Sequence, residues 1–573
     1  MNVIRILPEK IASQIAAGEV IDRPASVVRE LIDNSIDAGA DRVVINIEKG
    51  GKGLIKVVDN GSGMSRNDLL LSVERHATSK IADASDLFSI KFLGFRGEAL
   101  PSIASVSKLE ITSRPREQVV AHRLRIAGGK LIAIEEAGAP SGTIVEVRAL
   151  FFNIPARRKF LRAVRTETYH IIDTVSRAAL PFPEIGFRLD DTGKSILNLP
   201  SSDQQLSRIS VLMGRAFAEE VIDSHERNND LEVSVYLAPS HLARSRGDRL
   251  FVYVNRRYIR DRLVTKAVME GYGQRLMKGK YPQAILFIEI DPAKVDVNVH
   301  PAKQEVRFHN SQAVFNAIAS TIEKALSHSL PAFPGSRPGG AVEKFDKPQK
   351  AHFVSEPFRK YAQTIPGPQK TFVPEDDAWP GKNEDVQILG QLGNTYILCQ
   401  VKDGFLMVDQ HAAHERIVYE DLRKAIAAGH IERQALLIPH ELELTAREKE
   451  IVLHKGKQLT RFGIELDHFG GNTFLLRSVP VILKDVQWEI FLSELITELE
   501  EKEPEDYAVL NKVLTVMACH GAIRAGYRMK HEEMSNLLSE LGETDLPTNC
   551  PHGRPTFKHF TYSEIEKMFK RIV

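Results

Sequence analysis

The stretch RPASVVRELIDNSIDAGA, residues 23–40, decides how the front of the chain is read. Pro24 suits a first helical turn, where its missing N–H has no intrahelical partner to lose. Val27, Val28, Leu31, Ile32 and Ile36 follow at helical spacing, and Gly39 provides a stop. At 100° per residue, Glu30, Asn34 and Asp37 fall within about 60° of one another on the other side. The spacing therefore predicts an amphipathic helix with a carboxylate and an amide on one exposed stripe, able to position a water and a cation. A helix of this kind standing alone is equally well a solvated face.

Three further segments extend the pattern. GLIKVVDNGSGM, residues 53–64, reads as a strand ending on Asp59, after which Gly61 and Gly63 let the backbone turn and approach a ligand. A carboxylate there can accept from an exocyclic amine. HATSKI (76–81) and KFLGFRGEALPSIASVS (91–107) follow, the latter a glycine hinge entering a helix whose N-terminal amides suit phosphate. SGTIVEV (141–147) then places Gly142 and Thr143 at a strand start.

In this order the segments resemble the ATP site shared by DNA gyrase, the Hsp90 chaperone, histidine kinases and MutL, and GFRGEAL (94–100) resembles the signature of the MutL mismatch-repair family in particular. The resemblance implies that Glu30 is the general base for water attack, that Asn34 holds Mg²⁺, and that Asp59 reads adenine with Thr143 in support. It places Thr78, Ser79, Lys80, Gly94, Phe95, Arg96 and Gly97 in the lid that closes over the phosphates of ATP, with Gly63 among the nucleotide-binding residues. NVHPAKQEVRF (298–308) puts Lys303 where the family has a lysine reaching the γ-phosphate.

Length and composition set the frame for these motifs. At 573 residues and 64.1 kDa the chain is too long for one core, and about two to four domains are expected. With 76 basic against 75 acidic side chains, any attraction for nucleic acid has to come from local surface. Three cysteines exclude a disulfide scaffold. No apolar run of about 18 residues and no basic-then-apolar leader occur, so a cytoplasmic chain without membrane contact is expected.

Strand-like and helical runs alternate up to residue 330, after which residues 331–385 lose apolar periodicity and gain recurrent proline. This predicts a flexible linker, with an end-to-end span of about 40 Å. The expected architecture is α+β and multidomain. An N-terminal gyrase/Hsp90-like ATPase sandwich (1–215) precedes a ribosomal-S5-like α+β transducer and DNA-binding domain (216–330). The linker then leads to an α/β C-terminal dimerisation and endonuclease domain (386–573), interrupted by an inserted external subdomain (435–518). Helices are expected near 411–428, 445–461, 486–503 and 507–525.

Local charge excess sits in ARRKFLRAVR (156–165) and RSRGDRLFVYVNRRYIRDR (244–262). Such stripes suit phosphate contacts that position a duplex without reading it, although an exposed strand defended by charge has the same composition. FVYVNRRYIRD also resembles the second domain of MutL and gyrase, which makes Arg256, Arg257, Arg260 and Arg262 the DNA-binding candidates.

Beyond the linker, GFLMVDQHAAHERIVYE (404–420) runs from strand into helix, with Asp409 at the junction and His411 and Glu415 one turn apart on one face. Cys519 in MACHGAIRAG, and Cys550 and His552 in NCPHGRP, supply thiolate and imidazole. That donor set favours Zn²⁺ or a similar transition metal over an all-oxygen cation. Cys399 reads as an apolar strand residue.

DQHAAHERIVYE (409–420) resembles the D-Q-H-A-x2-E-x4-E motif of MutL proteins that cut DNA themselves. The match implies a nicking site of Asp409, His411, Glu415, Glu420, Cys519, Cys550 and His552 with Arg571 nearby, Mn²⁺ supporting cleavage and Zn²⁺ as structural or regulatory occupant. QALLIP (434–439), with Gln434, Leu437 and Pro439, resembles the peptide by which repair proteins dock on the replication sliding clamp. The family further implies an ATP-regulated homodimer working with duplex DNA and the mismatch sensor MutS. The alternative is a non-cleaving matchmaker with the same ATPase and only a structural C-terminal metal.

Overall fold

A computed structural model of the chain describes residues 21–80, 92–94, 97–228, 231–244, 246–277, 279–296, 306–328, 379, 386–429, 431–483, 486–499, 507–523, 526–569 and 571. Phe95, Arg96 and Lys303 lie outside the described residues, as does the span 331–385 apart from Trp379. Compactness divides the chain into two units, residues 1–329 with 430–516, and residues 330–429 with 517–573.

The first unit opens with the helix Pro24–Asp37, ended by Ala38 and by Gly39 at φ +69°. It packs on an eight-stranded sheet built from β1 (Arg42–Glu48), β2 (Leu54–Asp59), β3 (Lys108–Arg114), β4 (Ala121–Ala127), β5 (Lys130–Ala137), β6 (Gly142–Arg148), β7 (Gly186–Asp191) and β8 (Lys194–Leu199). The strand order is β5-β4-β3-β6-β2-β1-β7-β8, antiparallel except where β1 meets β7. β1 alternates buried Val43, Ile45 and Ile47 with less buried neighbours, the mark of a sheet with one packed face. Val27, Val28, Leu31 and Ile32 of the helix are buried, as are Ile171, Ile172 and Val175 of a second helix, Val164–Ala179, that packs beside it. Each such side chain contributes about 1.5–3 kcal/mol by leaving water.

A second sheet follows, made of β9 (Ile222–Asn228), β10 (Leu231–Leu237), β11 (Leu250–Val254), β12 (Arg257–Ile259) and β13 (Ala284–Ile290) in the order β12-β11-β13-β10-β9. Its core contains Val233, Val235, Leu286 and Ile288, packed with Val264, Val268, Ile318 and Ile322 of the helices Arg262–Tyr272 and Ser311–His328. These helices meet where Gly271 has no side chain. A β-carbon there would stand 2.7 Å from Cβ of Ile322 and 2.9 Å from the carbonyl oxygen of Ala319. Gly271→Ala is therefore expected to destabilise the chain by about 1–3 kcal/mol through overpacking, read as a lowered urea midpoint. A midpoint equal to wild type would show that the helices separate without cost.

Residues 431–483 and 486–499 of this unit hold a three-stranded sheet and the helices Ala446–Arg461 and Trp488–Leu499. The sheet strands Arg433–Glu443, Thr473–Pro480 and Glu465–Gly470 pair antiparallel.

In the second unit a four-stranded sheet runs Gln387–Leu392, Tyr396–Val401, Gly404–Asp409, Phe557–Thr561. Cys399 is fully buried in it, and burial pushes its thiol up to about 11. The helices Gln410–Ala427 and His531–Glu543 pack together, and Ala413, Ile417, Leu537 and Leu541 share the core. Trp379, inside the span read as linker, belongs to that core at 8% exposure, with its ring 5.1 Å from that of Phe557. A Pro-rich, acidic neighbourhood disguises it, but burying one indole outweighs the composition around it.

Candidate functional sites

The helix Pro24–Asp37 carries the first site. Glu30 is 5% exposed and accepts from Nη2 of Arg29 at 2.9 Å, so the stripe expected to face solvent is covered at its first residue. Asp59 ends β2, held from three sides. Its Oδ2 accepts from Ser35 Oγ (2.9 Å), and its Oδ1 accepts from the amides of Gly61 (3.0 Å) and Thr143 (3.2 Å). Burial raises the Asp59 carboxyl above its ordinary range against these hydrogen bonds. Thr143 is held in turn, its Oγ1 2.9 Å from Oγ of Ser113. Gly63 turns the chain at φ +70°, where a β-carbon would lie 2.2 Å from the carbonyl oxygen of Arg114.

Lys80 reaches the same helix, with Nζ 3.1 Å from Oδ1 of Asn34 and 2.5 Å from Oδ2 of Asp37. Asp37 also accepts from the amides of Leu93 (3.0 Å) and Gly94 (2.9 Å). Thr78 and Ser79 are exposed, and the Thr78 hydroxyl accepts from the Lys80 amide. Gly97, at φ +62°, precedes the helix Ala99–Val106. The structure thus gathers Glu30, Asn34, Lys80 and Gly94 along one helix face. It gives Asp37, which the sequence placed on that stripe, Lys80 and the amides of Leu93 and Gly94 as partners, and it adds Ser35, whose hydrogen bond to Asp59 nothing in the sequence signalled.

The arginine-rich segment divides. Arg244, 4% exposed, donates from Nη2 to the hydroxyls of Ser493 and Thr497, and Arg249 pairs with Glu448 at 2.8 Å. Arg256 pairs with Glu184 at 2.8 Å and lies over the ring of Phe182. Arg257 turns toward the first sheet and donates to the carbonyl oxygen of Phe92 at 2.9 Å. Arg260, which donates to the Tyr258 hydroxyl, and Arg262, which opens the helix Arg262–Tyr272, are exposed.

The second site starts where the strand Gly404–Asp409 enters the helix Gln410–Ala427. Asp409 caps that helix, accepting from the amides of His411 (3.0 Å) and Ala412 (3.1 Å). One turn after His411, Glu415 is buried between two histidines, 3.3 Å from Nε2 of His411 and 3.4 Å from Nδ1 of His552. Burial pushes its carboxyl up, but the hydrogen bonds from His411 and His552 outweigh this and hold it far below the usual carboxylate range. His552 is pushed up to about 9, first by its hydrogen bond with Cys550 and then by Glu415. His411 also rises, chiefly through Glu415, and its Nδ1 lies 2.8 Å from the carbonyl oxygen of Ile523.

Glu415, Cys519 and His552 each offer a donor atom, all within 4.8 Å of one another. Carboxylate, thiolate and imidazole around one point fit a transition-metal ion. Cys550 lies buried beside His552. Glu420 is not brought to this cluster; it is 1% exposed and paired with Arg416 (3.3 Å) and Arg423 (2.7 Å). Arg571, whose amide donates to the Glu566 carbonyl, is exposed. The sequence reading passed over His414, which accepts from the amide of Ile523 and is lowered to about 4, mainly by burial.

The strand Arg433–Glu443 pairs Ala435 with Ser478 and His440 with Leu476. Five steps along one strand meet two along the other, so residues 436–439 loop out. Leu437 and Ile438 are 99% and 81% exposed there, and Gln434 is exposed as well.

Comparison with known proteins places the chain in a family. DNA mismatch repair protein MutL of Geobacter sulfurreducens is 37% identical over 603 residues, covering 99% of each chain. The MutL of Syntrophotalea carbinolica is 39% identical over 624 residues with the same coverage. The chain belongs to the MutL DNA mismatch repair proteins. Residues 22–133 match the histidine kinase-, DNA gyrase B- and HSP90-like ATPase model, 209–327 the DNA mismatch repair protein C-terminal domain, and 389–529 the MutL C-terminal dimerisation domain. The Aquifex aeolicus MutL ATPase domain complexed with ADP is similar at 26% identity, over 52% of this chain and 98% of that one, with a TM-score of 0.38. As a MutL, the chain carries an N-terminal ATPase domain and a C-terminal dimerisation domain. Among the described residues no helix is long and apolar enough to cross a membrane.

Proposed function

We propose that the chain is an ATP-regulated mismatch-repair homodimer that cuts one DNA strand at the Glu415–Cys519–His552 centre. The observation that carries this reading is the convergence of those three donors from separate segments. Glu415 is buried between His411 and His552, so its carboxylate faces partners inside the site and not water. Glu415, Cys519 and His552 would hold a divalent cation there; Mn²⁺ would supply an activated water and charge neutralisation at the phosphodiester, whereas Zn²⁺ would take a structural role. The chain's own part is orientation. His411 fixes Glu415 and is itself fixed through Ile523, while Asp409 caps the start of the helix that carries both.

In the front half, Glu30 orients the attacking water, Asn34 holds Mg²⁺, and Asp59 accepts from the adenine amine of ATP. Phosphoryl transfer to water asks for these two services, an aligned nucleophile and neutralised charge, rather than for covalent help. Arg260 and Arg262 present the exposed charge that suits duplex phosphates. MutS, DNA and the replication clamp are the partners of this reading.

The test is incubation of closed circular DNA with purified chain and Mn²⁺. Open circles support the reading, while circles left intact with ATP, Mn²⁺ and clamp all present favour the non-cleaving matchmaker. The looped-out Leu437 and Ile438 give the clamp reading its own test. Replacing Gln434 and Leu437 together by alanine is expected to remove clamp stimulation of nicking, on the order of tenfold, and to leave ATP hydrolysis unchanged. Undiminished stimulation would assign the clamp contact elsewhere.

A further inference from the structure

We propose that Arg257 is a positioning residue for ATP turnover, through which the second sheet grips the backbone of Phe92, Leu93 and Gly94 against the helix that carries Glu30 and Asn34. The inference rests on the reading of that helix as the ATP site. It gives Arg257 a different task from the phosphate contact that its arginine-rich segment suggests.

Arg257 begins β12, directly after the turn that joins β11 to it. Asn255 and Arg256 in that turn are left-handed, at φ +48° and +62°, the pair of positive angles a tight hairpin needs. The turn is tied to β13 twice, by the Asn255 amide to the Ile288 carbonyl and by the Ile290 amide to Oδ1 of Asn255, both at 2.9 Å. The base of the Arg257 side chain is thus fixed to the second sheet.

Its far end belongs to the first. Nη2 donates to the Phe92 carbonyl at 2.9 Å, and the next two amides, of Leu93 and Gly94, donate to the Asp37 carboxylate. Two consecutive peptide groups are therefore held, the first of them from opposite sides by a cation of one sheet and an anion of the other's helix. Burial lowers the Arg257 guanidinium, and the charges of Asp33, Asp37 and Glu30 oppose that shift. A cavity of about 100 Å³ adjoins, lined by Arg29, Asp33, Leu93 and Tyr258, with the Arg177 guanidinium 4.8 Å from the centre of the Tyr258 ring.

Gly94 sits where even a methyl group would approach Nζ of Lys80 to 3.2 Å and Oδ1 of Asn34 to 3.4 Å. The placement of 92–94 thereby sets how Lys80 and Asn34 stand relative to the phosphates. Adenine is held elsewhere, at Asp59. Loss of the Arg257 contact is therefore expected to act on turnover more than on nucleotide affinity.

The experiment is steady-state ATP hydrolysis by the full chain, with salt titrations of duplex DNA binding on the same preparations. Arg257→Gln is expected to lower kcat about tenfold and to change KM for ATP less than threefold. Asp37→Asn should lower kcat similarly, and the double variant should fall little below either, because both grip one segment. The salt slope of DNA binding should stay at the wild-type value. If the Gln variant does not fold, Arg257→Lys, which keeps the charge and one donor, should lower kcat about threefold. Wild-type kcat in the Arg257 variants overturns the inference, as do fully multiplicative effects or a salt slope reduced by about one with ATP turnover intact. A wild-type chain that does not hydrolyse ATP defeats the ATP-site reading itself, a result distinct from these.

Discussion

Glu30→Ala is expected to bind ATP and to hydrolyse it roughly 10²–10⁴-fold more slowly, the range a positioned general base contributes. The substitution removes a carboxylate that is 5% exposed and leaves the adenine end of the site untouched, since Asp59 is held by Ser35, Gly61 and Thr143. Arg29, which donates to Glu30, keeps Asp33 as a neighbouring charge, so the variant is not left with an isolated buried cation. Asp59→Asn should do the reverse, because an amide placed among donors presents its own N–H₂ to the adenine amine and weakens binding at the outset. Nucleotide titration with single-turnover hydrolysis separates the two. Wild-type turnover by the Glu30 variant would remove that residue from the chemistry.

That contrast also shows which part of the site is legible in sequence. The helix Pro24–Asp37 announces itself, because apolar spacing, an early proline and a terminal glycine are local properties that the same residues satisfy in the fold. Asp59 at a strand end and Asp409 at a strand-to-helix junction are equally local. The environment of Glu30 is not. Its stripe reads as exposed because nothing within the helix reports what other segments bring over it, and Leu93 and Gly94 are held to Asp37 from more than 50 positions away.

The arginines teach the same lesson. Seven of them between 244 and 262 look alike as charge, yet Arg244 and Arg249 are taken up by Ser493, Thr497 and Glu448, and Arg257 by a backbone carbonyl. Which face a charge presents depends on strand register and turn geometry, and composition carries neither. Glu420 is the converse case. The resemblance to the family motif implies a further ligand there, but Arg416 and Arg423 on its own helix reach it within one turn, and a buried carboxylate takes the cations nearest to it.

Asp409→Asn is expected to abolish DNA nicking in Mn²⁺ without loss of stability. Asparagine is as good a helix cap as aspartate, so the bonds from the amides of His411 and Ala412 survive through the side-chain oxygen. The lost element is a negative charge six residues before Glu415, nearly two helical turns away, in a site proposed to hold a divalent cation beside a polyanion. Removing a carboxylate there should cost more than the roughly 10–100-fold typical of residues that merely support a ligand. Conversion of supercoiled to open-circular DNA, measured beside a thermal melt, reads both halves. Lost nicking with an unchanged melt assigns Asp409 to the chemistry, and lost nicking with a lowered melt reduces it to a cap. Wild-type nicking would leave Asp409 outside the reaction and move the search for the activating group to His411 and the segment Asn549–Gly553.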